Sequence, residues 1–240
     1  MGILIQRFIK EERIEEIAAQ PPGKVENPDG MAYSTVMSYR SNLNKHIKPA
    51  WQDVCLSDFK PQAANEWLKK LPLAPKSKAH IRGLLHLFLE KAMLWDMIEL
   101  QRNPVELVRL HGSSVRVHKI RVLTPDEVNT LLHSLQEPYR TMVLVAVCTG
   151  LRISELLALR WEHFDFAEGT LLVQSGTVNG RVGAVKTLAS NDYVPLAPVF
   201  QAALEAFRNG KRMGLVFPSH KTGGCYFAIE IQKNYLRPAA

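Results

Sequence analysis

Apolar positions recur at helical spacing through the first half of the chain. Three predicted helices follow from stripes in which apolar residues return every three or four positions. The stripes are Val36, Tyr39 and Leu43; Ala63, Ala64, Trp67 and Leu68; and Ile81, Leu84, Leu85, Phe88, Leu89 and Ala92. A shorter element after Trp95 ends at Asn103-Pro104, and no strand-like alternation interrupts this part of the chain. Residues 31–111 therefore predict a compact domain of four short helices.

Segments rich in helix breakers separate this predicted domain from its neighbours. A charged helix over residues 7–20 stops at Pro21-Pro22-Gly23, and more breakers follow at residues 27–30. We therefore predict that residues 1–30 are a leader followed by a linker. Residues 112–121 are polar, basic and poor in core residues, which predicts a second linker.

The second half of the chain mixes helices with short strands. Thr124-Pro125-Asp126-Glu127 predicts a capping box at a helix start, and residues 141–148 are apolar enough for a buried helix. The next helix is expected to turn Ile153, Leu156 and Leu157 toward the core. Strands are then predicted at residues 170–174, 184–186 and 193–196, with turns at Gly176, Asn179-Gly180 and Gly183. Helices return at residues 198–208 and from Phe227, so residues 122–240 predict an α+β domain.

The charge of the chain is concentrated in its middle. The 240 residues hold 30 Lys+Arg and 23 Asp+Glu, a net charge of +7. Residues 31–121 alone hold 15 basic and 7 acidic side chains. Such a basic domain predicts a polyanionic partner, because neutralising phosphates releases counterions. Solubility alone explains a mild basic excess equally well.

Composition narrows the class of protein further. Three scattered cysteines argue against a disulfide framework or a zinc site and fit a reducing cytosol. The longest apolar run, residues 142–148, is far shorter than the roughly 20 residues that a membrane span needs. The N-terminus does not resemble a signal peptide. We expect a cytoplasmic protein without a membrane partner.

Two groups of basic residues are candidates for phosphate binding. Gly150 predicts a turn that presents Arg152 at a helix start, and Glu155 three residues later can hold its guanidinium. A fixed arginine there can bind a phosphate with two hydrogen bonds. On the spacing alone, however, an ordinary ion pair on an amphipathic helix is the better explanation. The candidate DNA-binding residues in the helical domain are Lys45, Lys76, Ser77, Lys78 and Arg82. Taken singly, each of these lysines is better explained as part of a solvated surface.

Several motifs resemble those of one family. Residues 149–161, TGLRISELLALRW, closely resemble the first conserved box of the tyrosine recombinases, the phage integrase family of site-specific DNA recombinases. Four further segments resemble that family in the family's order. They are the core-binding segment at Asn103-Pro104-Val105, the domain opening LTPDEV at residues 123–128, the lysine hairpin at Val185-Lys186-Thr187 with residues 192–196, and LVFPS at residues 215–219.

The resemblance implies a fold, a reaction and a site. The fold is mainly α, with a four-helix, SAM-like core-binding domain at residues 31–111 and part of an α+β catalytic domain with a small antiparallel hairpin sheet at 122–240. The reaction is DNA strand exchange by phosphotyrosine transesterification, without a metal or other cofactor. The resemblance makes Arg152 a clamp on the scissile phosphate, Glu155 its supporting carboxylate and Lys186 the general acid. The implied partners are double-stranded DNA and further copies assembled on it, on the nucleoid of a bacterial or phage system.

The chain also departs from the family pattern. The expected His-x-x-Arg box, a further His or Trp and the nucleophilic tyrosine do not follow Arg237, and His118-Lys119-Ile120-Arg121 precedes the first box, which is the wrong order. We therefore expect an incomplete, catalytically inactive recombinase with an exposed surface over residues 198–240. The alternatives are a non-catalytic regulator that competes for attachment sites, and a basic helical protein that binds RNA or an acidic partner.

Overall fold

The computed structural model describes residues 1–21, 30–99, 101–112, 121–184 and 192–239. These residues divide into two compact units. Unit one comprises residues 1–20 and the described residues from 30 to 112. Unit two comprises Pro21 and the described residues from 121 onward. The structure is mostly helical, with small antiparallel sheets in unit two.

Unit one is helical throughout its regular structure. Its helices are α1 (Gly2–Glu11), α2 (Ile14–Ala19), α3 (Tyr33–Asn42), α4 (Lys48–Trp51), α5 (Pro61–Lys70) and α6 (Pro75–Leu94). A π-helical turn, Leu43–Ile47, joins α3 to α4. The longest helix, α6, buries all six residues of its predicted stripe, so its amphipathic pattern is confirmed.

The first 20 residues belong to the core of unit one, which corrects their interpretation as a leader. Leu4, Phe8 and Ile14 are fully buried there, and the ring of Phe8 meets that of Phe88 edge to face at 4.7 Å. The predicted single helix is broken at Arg13, whose φ is 51°. The predicted helix began at residue 7 and so left out Leu4 and Ile5, which form the apolar face of α1 together with Phe8.

The structure also differs from the prediction in the segment after Trp95. A 3₁₀ turn, Pro104–Leu107, begins where the prediction ended the element. The side chain of Asn103 accepts a hydrogen bond from the Val105 amide at 3.1 Å and donates one to the His86 carbonyl at 2.9 Å. Asn103 therefore starts this turn and attaches it to α6.

Unit two begins with helices and continues into strands. Its helices are α7 (Pro125–Ser134), α8 (Tyr139–Thr149), α9 (Ile153–Leu156), α10 (Pro198–Arg208), α11 (Ala228–Ile231) and α12 (Arg237–Ala239). The capping box of α7 is confirmed, because the Glu127 amide donates to Thr124 and the Thr124 amide donates to Glu127. The described helices of both units include none with the length and apolarity of a membrane span.

The strands of unit two form two antiparallel sheets within the described residues. The strands are β1 (Phe164–Asp165), β2 (Thr170–Val173), β3 (Ser175–Val178), β4 (Arg181–Ala184) and β5 (Asp192–Pro195). One sheet has the order β1-β2-β5, and β3 pairs with β4. The turn at Asn179-Gly180 is confirmed by positive φ at both residues. Gly176 and Gly183, predicted as turns, instead lie opposite each other within the β3–β4 pair.

Several positions predicted as core are exposed, among them Ala63 in unit one and Cys148 at the end of the apolar segment 141–148 in unit two. Ile153 is 45% exposed, whereas Leu156 and Leu157 are buried as predicted. Val147 near the end of α8 is 54% exposed, so the helix that was predicted to be buried faces solvent at this position. Val147 and Ile153 flank the turn that carries Arg152.

Candidate nucleic-acid interface

The turn between α8 and α9 determines where Arg152 lies. Gly150 ends α8 with φ of 67°, a left-handed conformation that glycine adopts without the steric cost of a Cβ atom. The chain then extends, and Arg152 becomes the residue that precedes the first turn of α9. Its guanidinium is thereby placed beside the first turn of α9.

Glu155 connects the backbone and the side chain of Arg152. One carboxylate oxygen accepts a hydrogen bond from the Arg152 amide at 2.9 Å, and the other accepts one from the guanidinium Nη1 at 2.8 Å. The Glu155 side chain is only 6% exposed, whereas that of Arg152 is 57% exposed. A buried carboxylate therefore orients a cation that an anionic ligand can reach.

The β3–β4 pair packs against the helix that follows Arg152. A Cβ atom built on Gly176 would lie 3.7 Å from the Ser154 side chain, so strand and helix are in close contact at this position. Lys186, the predicted general acid, follows β4 and lies outside the described residues. Its role stays a prediction.

The structure brings lysines from two helices of unit one together. Lys76 and Ser77 are exposed in the first turn of α6, and the ammonium group of Lys78 donates to the Lys69 carbonyl at 2.8 Å. Lys69 and Lys70 form the exposed last turn of α5. We name Lys69, Lys70, Lys76 and Lys78 the lysine patch.

Sequence reasoning identified only half of the lysine patch. The prediction considered only the start of α6, where Lys76 lies. It left out Lys69 and Lys70 because they belong to the end of the preceding helix, α5. The signal was the short connection, residues 71–74, which forces the two basic helix ends to be neighbours. Positive charge at the start of α6, together with its N–H groups, suits phosphate oxygens.

The other two candidates in unit one lie in different settings. Lys45 is exposed in the π-helical turn between α3 and α4. Arg82 is half-buried, and its guanidinium donates to the carbonyl oxygens of Val108 at 2.6 Å and Val105 at 3.2 Å. These bonds hold the 3₁₀ turn against α6, so we leave Arg82 out of the proposed interface.

The tyrosines of unit two differ in accessibility. Tyr139 and Tyr226 are buried, and Tyr235 stacks on Tyr139 with ring centroids 3.7 Å apart. Burial raises the pKa of Tyr139 well above its ordinary value, and hydrogen bonds with Tyr235 and Tyr226 raise it further. Tyr193 on β5 is 64% exposed. Within the described ranges, no group of His, Cys, Asp and Glu residues is arranged to hold a metal ion.

The fold is that of the tyrosine recombinase class. The Tn1549 transposon integrase, in a structure with transposon right-end DNA, superposes with a TM-score of 0.69 at 17% identity, over 95% of this chain and 74% of that one. The lambda integrase, in a tetramer bound to a Holliday junction, superposes with a TM-score of 0.62 at 18% identity, over 92% of this chain and 61% of the other.

Sequence comparison identifies the family. Residues 121–224 match the model of the phage integrase family. A putative prophage phiRv2 integrase of Mycobacterium tuberculosis is 31% identical over 201 residues, 79% of this chain and 52% of the relative. The integrase of Salmonella phage P22 is 32% identical over 97 residues, 38% of this chain and 24% of that protein. The chain belongs to the phage integrase family of tyrosine recombinases, and it spans about half the length of the phiRv2 relative.

Proposed function

We propose that this chain binds double-stranded DNA as part of site-specific recombination. The observation that carries the proposal is the exposed guanidinium of Arg152, held by the buried carboxylate of Glu155. The DNA complexes of the Tn1549 and lambda integrases, which share the fold, support the same partner for this chain. DNA binding would associate the protein with the nucleoid in a bacterial or phage-type system.

Arg152 is proposed to contact the phosphate at which strands are exchanged. In phosphotyrosine transesterification, a tyrosine oxygen bonds to phosphorus while the bond from phosphorus to the 5′ oxygen breaks. Negative charge grows on the non-bridging oxygens during this step, and a fixed guanidinium stabilises it. Glu155 acts as the positioning residue, and Lys186 donates the proton that the departing 5′ oxygen requires.

Unit one is proposed to hold the DNA backbone through the lysine patch and Lys45. Exposed lysines near the start of α6 contribute non-specific phosphate contacts, which position a duplex without reading its bases. The lambda integrase tetramer on a Holliday junction supports a further proposal, that copies of this chain associate on DNA.

The 240 residues by themselves are proposed to bind DNA without forming a covalent intermediate. Tyr139 and Tyr226 are buried, and the raised pKa of Tyr139 disfavours its phenolate. Tyr193 is 64% exposed on β5, but it precedes the position at which the family pattern has its second arginine and its nucleophile. If no covalent intermediate forms, the second candidate function is that of a polypeptide that occupies attachment sites and competes with an active recombinase.

Salt-dependent binding to a 30-base-pair duplex tests the proposal. The logarithm of the association constant is expected to fall linearly with the logarithm of salt concentration, and Arg152→Gln to reduce the slope by about 0.9, the value for one phosphate contact. Arg13→Gln serves as the control, because Arg13 pairs with Glu16 in unit one. Equal slopes for the two variants would contradict the role of Arg152. Equal affinity for single-stranded RNA and the duplex would favour an RNA-binding protein instead.

A further inference from the structure

The hydroxyl group of Thr149 connects the two sides of the turn that carries Arg152. Thr149 ends α8, one residue before Gly150. Its Oγ1 atom donates a hydrogen bond to the Val145 carbonyl at 2.6 Å and accepts one from the Leu151 amide at 3.4 Å. The first bond belongs to the last turn of α8, and the second reaches the residue that follows Gly150. One side chain therefore spans the point at which the helix ends.

The bond to the Leu151 amide distinguishes Thr149 from an ordinary helical threonine. Threonine hydroxyls commonly donate to the carbonyl four residues earlier, so the bond to Val145 alone has no special meaning. The Leu151 amide, in contrast, lies beyond the end of α8 on a half-buried residue. A backbone amide in such a position needs a hydrogen-bond partner, because burying it without one is costly. Thr149 supplies this partner from the preceding helix.

The freedom of Gly150 makes this connection important for the position of Arg152. Glycine has the widest backbone freedom of any residue, and here it adopts φ of 67°. Among the described residues, none beyond its chain neighbours would lie within 4 Å of a Cβ atom built on Gly150. Packing against Gly150 therefore does not restrain the turn. Restraint comes from hydrogen bonds, and the Thr149 hydroxyl supplies one that crosses the glycine.

Thr149 and Glu155 bind consecutive amides from opposite sides of the turn. Thr149 accepts from the Leu151 amide as a residue of α8, and Glu155 accepts from the Arg152 amide at 2.9 Å as a residue of α9. The Glu155 contacts orient the guanidinium relative to α9, but they do not fix the start of α9 relative to α8. That start is open to solvent, since Ile153 is 45% exposed. Thr149 therefore supplies a restraint that Glu155 does not.

We propose that Thr149 is a positioning residue for Arg152, which acts through the backbone of the turn without itself contacting DNA. This role rests on the proposed function, in which Arg152 binds a DNA phosphate. A guanidinium forms two hydrogen bonds to a phosphate only at a defined distance and orientation. Loss of the Thr149 hydroxyl lets Gly150 sample other conformations, so Arg152 spends less time in the orientation that binds.

Hydrogen exchange measured by NMR on the full chain tests the positioning without DNA. Thr149→Val keeps the branched shape but removes the hydroxyl, and exchange at the Leu151 amide is expected to become about fivefold faster. Thr149→Ser retains the hydroxyl and is expected to keep the slow exchange. Thr130→Val is the matched control, because the Thr130 hydroxyl donates to the Asp126 carbonyl at 2.8 Å in α7 and the same type of bond is lost there. Unchanged exchange at Leu151 in Thr149→Val, or an equal change in Thr130→Val, overturns the proposal.

A double-mutant cycle on duplex binding tests the link between Thr149 and Arg152. Thr149→Val is expected to weaken binding to the 30-base-pair duplex about fivefold when Arg152 is present, and to have no effect in the Arg152→Gln background. Thr149→Ser is expected to bind as the unaltered chain does. An equal loss in both backgrounds would assign Thr149 to the fold alone and overturn the proposal. If Arg152→Gln by itself leaves binding unchanged, the proposed function is wrong, and exchange at the Leu151 amide then decides whether Thr149 holds the turn.

Discussion

The carboxylate of Glu155 accepts hydrogen bonds from both the backbone amide and the guanidinium of Arg152, at 2.9 and 2.8 Å. One buried group thus starts α9 and orients the cation that precedes it. This arrangement couples the stability of a short helix to the position of a phosphate-binding arginine. Each of the two roles can be tested separately.

Glu155→Ala is expected to lower the free energy of unfolding of unit two by about 1–3 kcal/mol, because donors of Arg152 lose a buried partner. Urea denaturation monitored by circular dichroism measures this change. Glu168→Ala, an exposed carboxylate in the turn before β2, is the matched control. Equal midpoints for the two variants would show that the Glu155 contacts contribute no stability.

Lys76→Gln is expected to reduce the salt slope of duplex binding by about 0.9 without changing the melting temperature, because Lys76 is exposed at the start of α6. Arg82→Gln is expected to leave the salt slope unchanged. It is expected to lower the melting temperature, because the hydrogen bonds to the carbonyl oxygens of Val105 and Val108 are lost. Binding isotherms at several salt concentrations and thermal melts measure both effects. A lower melting temperature for Lys76→Gln would assign that lysine to the fold.

A suicide DNA substrate is expected to trap no covalent complex with the 240-residue chain. Tyr139 and Tyr226 are buried, and the pKa of Tyr139 is raised by burial. Denaturing gel electrophoresis after incubation measures trapping. If a covalent band appears, the assay is repeated with Tyr193→Phe, because Tyr193 is exposed. Disappearance of the band in this variant would identify Tyr193 as the nucleophile.

Phe8→Ala is expected to destabilise unit one by about 3–5 kcal/mol, the usual cost of removing a buried phenylalanine ring. Phe8 is fully buried and contacts Phe88, whereas Ile3 on the same helix is 76% exposed. Ile3→Ala is therefore expected to change stability little. A small effect of Phe8→Ala, measured by urea denaturation, would restore the interpretation of residues 1–20 as a separate leader.

The start of α7 is expected to weaken in acid. Hydrogen bonding from the Thr124 amide, followed by the side chain of Arg121, lowers the pKa of Glu127 below its ordinary value. The ionised carboxylate therefore stabilises the folded state above the unfolded pKa of about 4.3, and this contribution is lost as pH falls through the lower folded pKa. Melting temperatures between pH 3 and pH 6 measure it, and Glu127→Gln should have a smaller pH dependence.

The sequence by itself determined the features that depend on neighbours along the chain. The stripe of α6, the capping box at Thr124 and the pairing of Arg152 with Glu155 all follow from contacts three or four residues apart. The motif at residues 149–161, together with four further segments in the family's order, indicated the family that the comparisons identified.

The tertiary structure decided the features that join distant segments. Burial of Phe8 needs α6, pairing of Gly176 with Gly183 needs the register of the hairpin, and the lysine patch needs α5 to meet α6. The stacking of Tyr235 on Tyr139 likewise joins segments that lie far apart in the sequence. Short connections and turns along the chain bring neighbouring segments together, but long-range packing sets which of their side chains are buried and which surfaces meet.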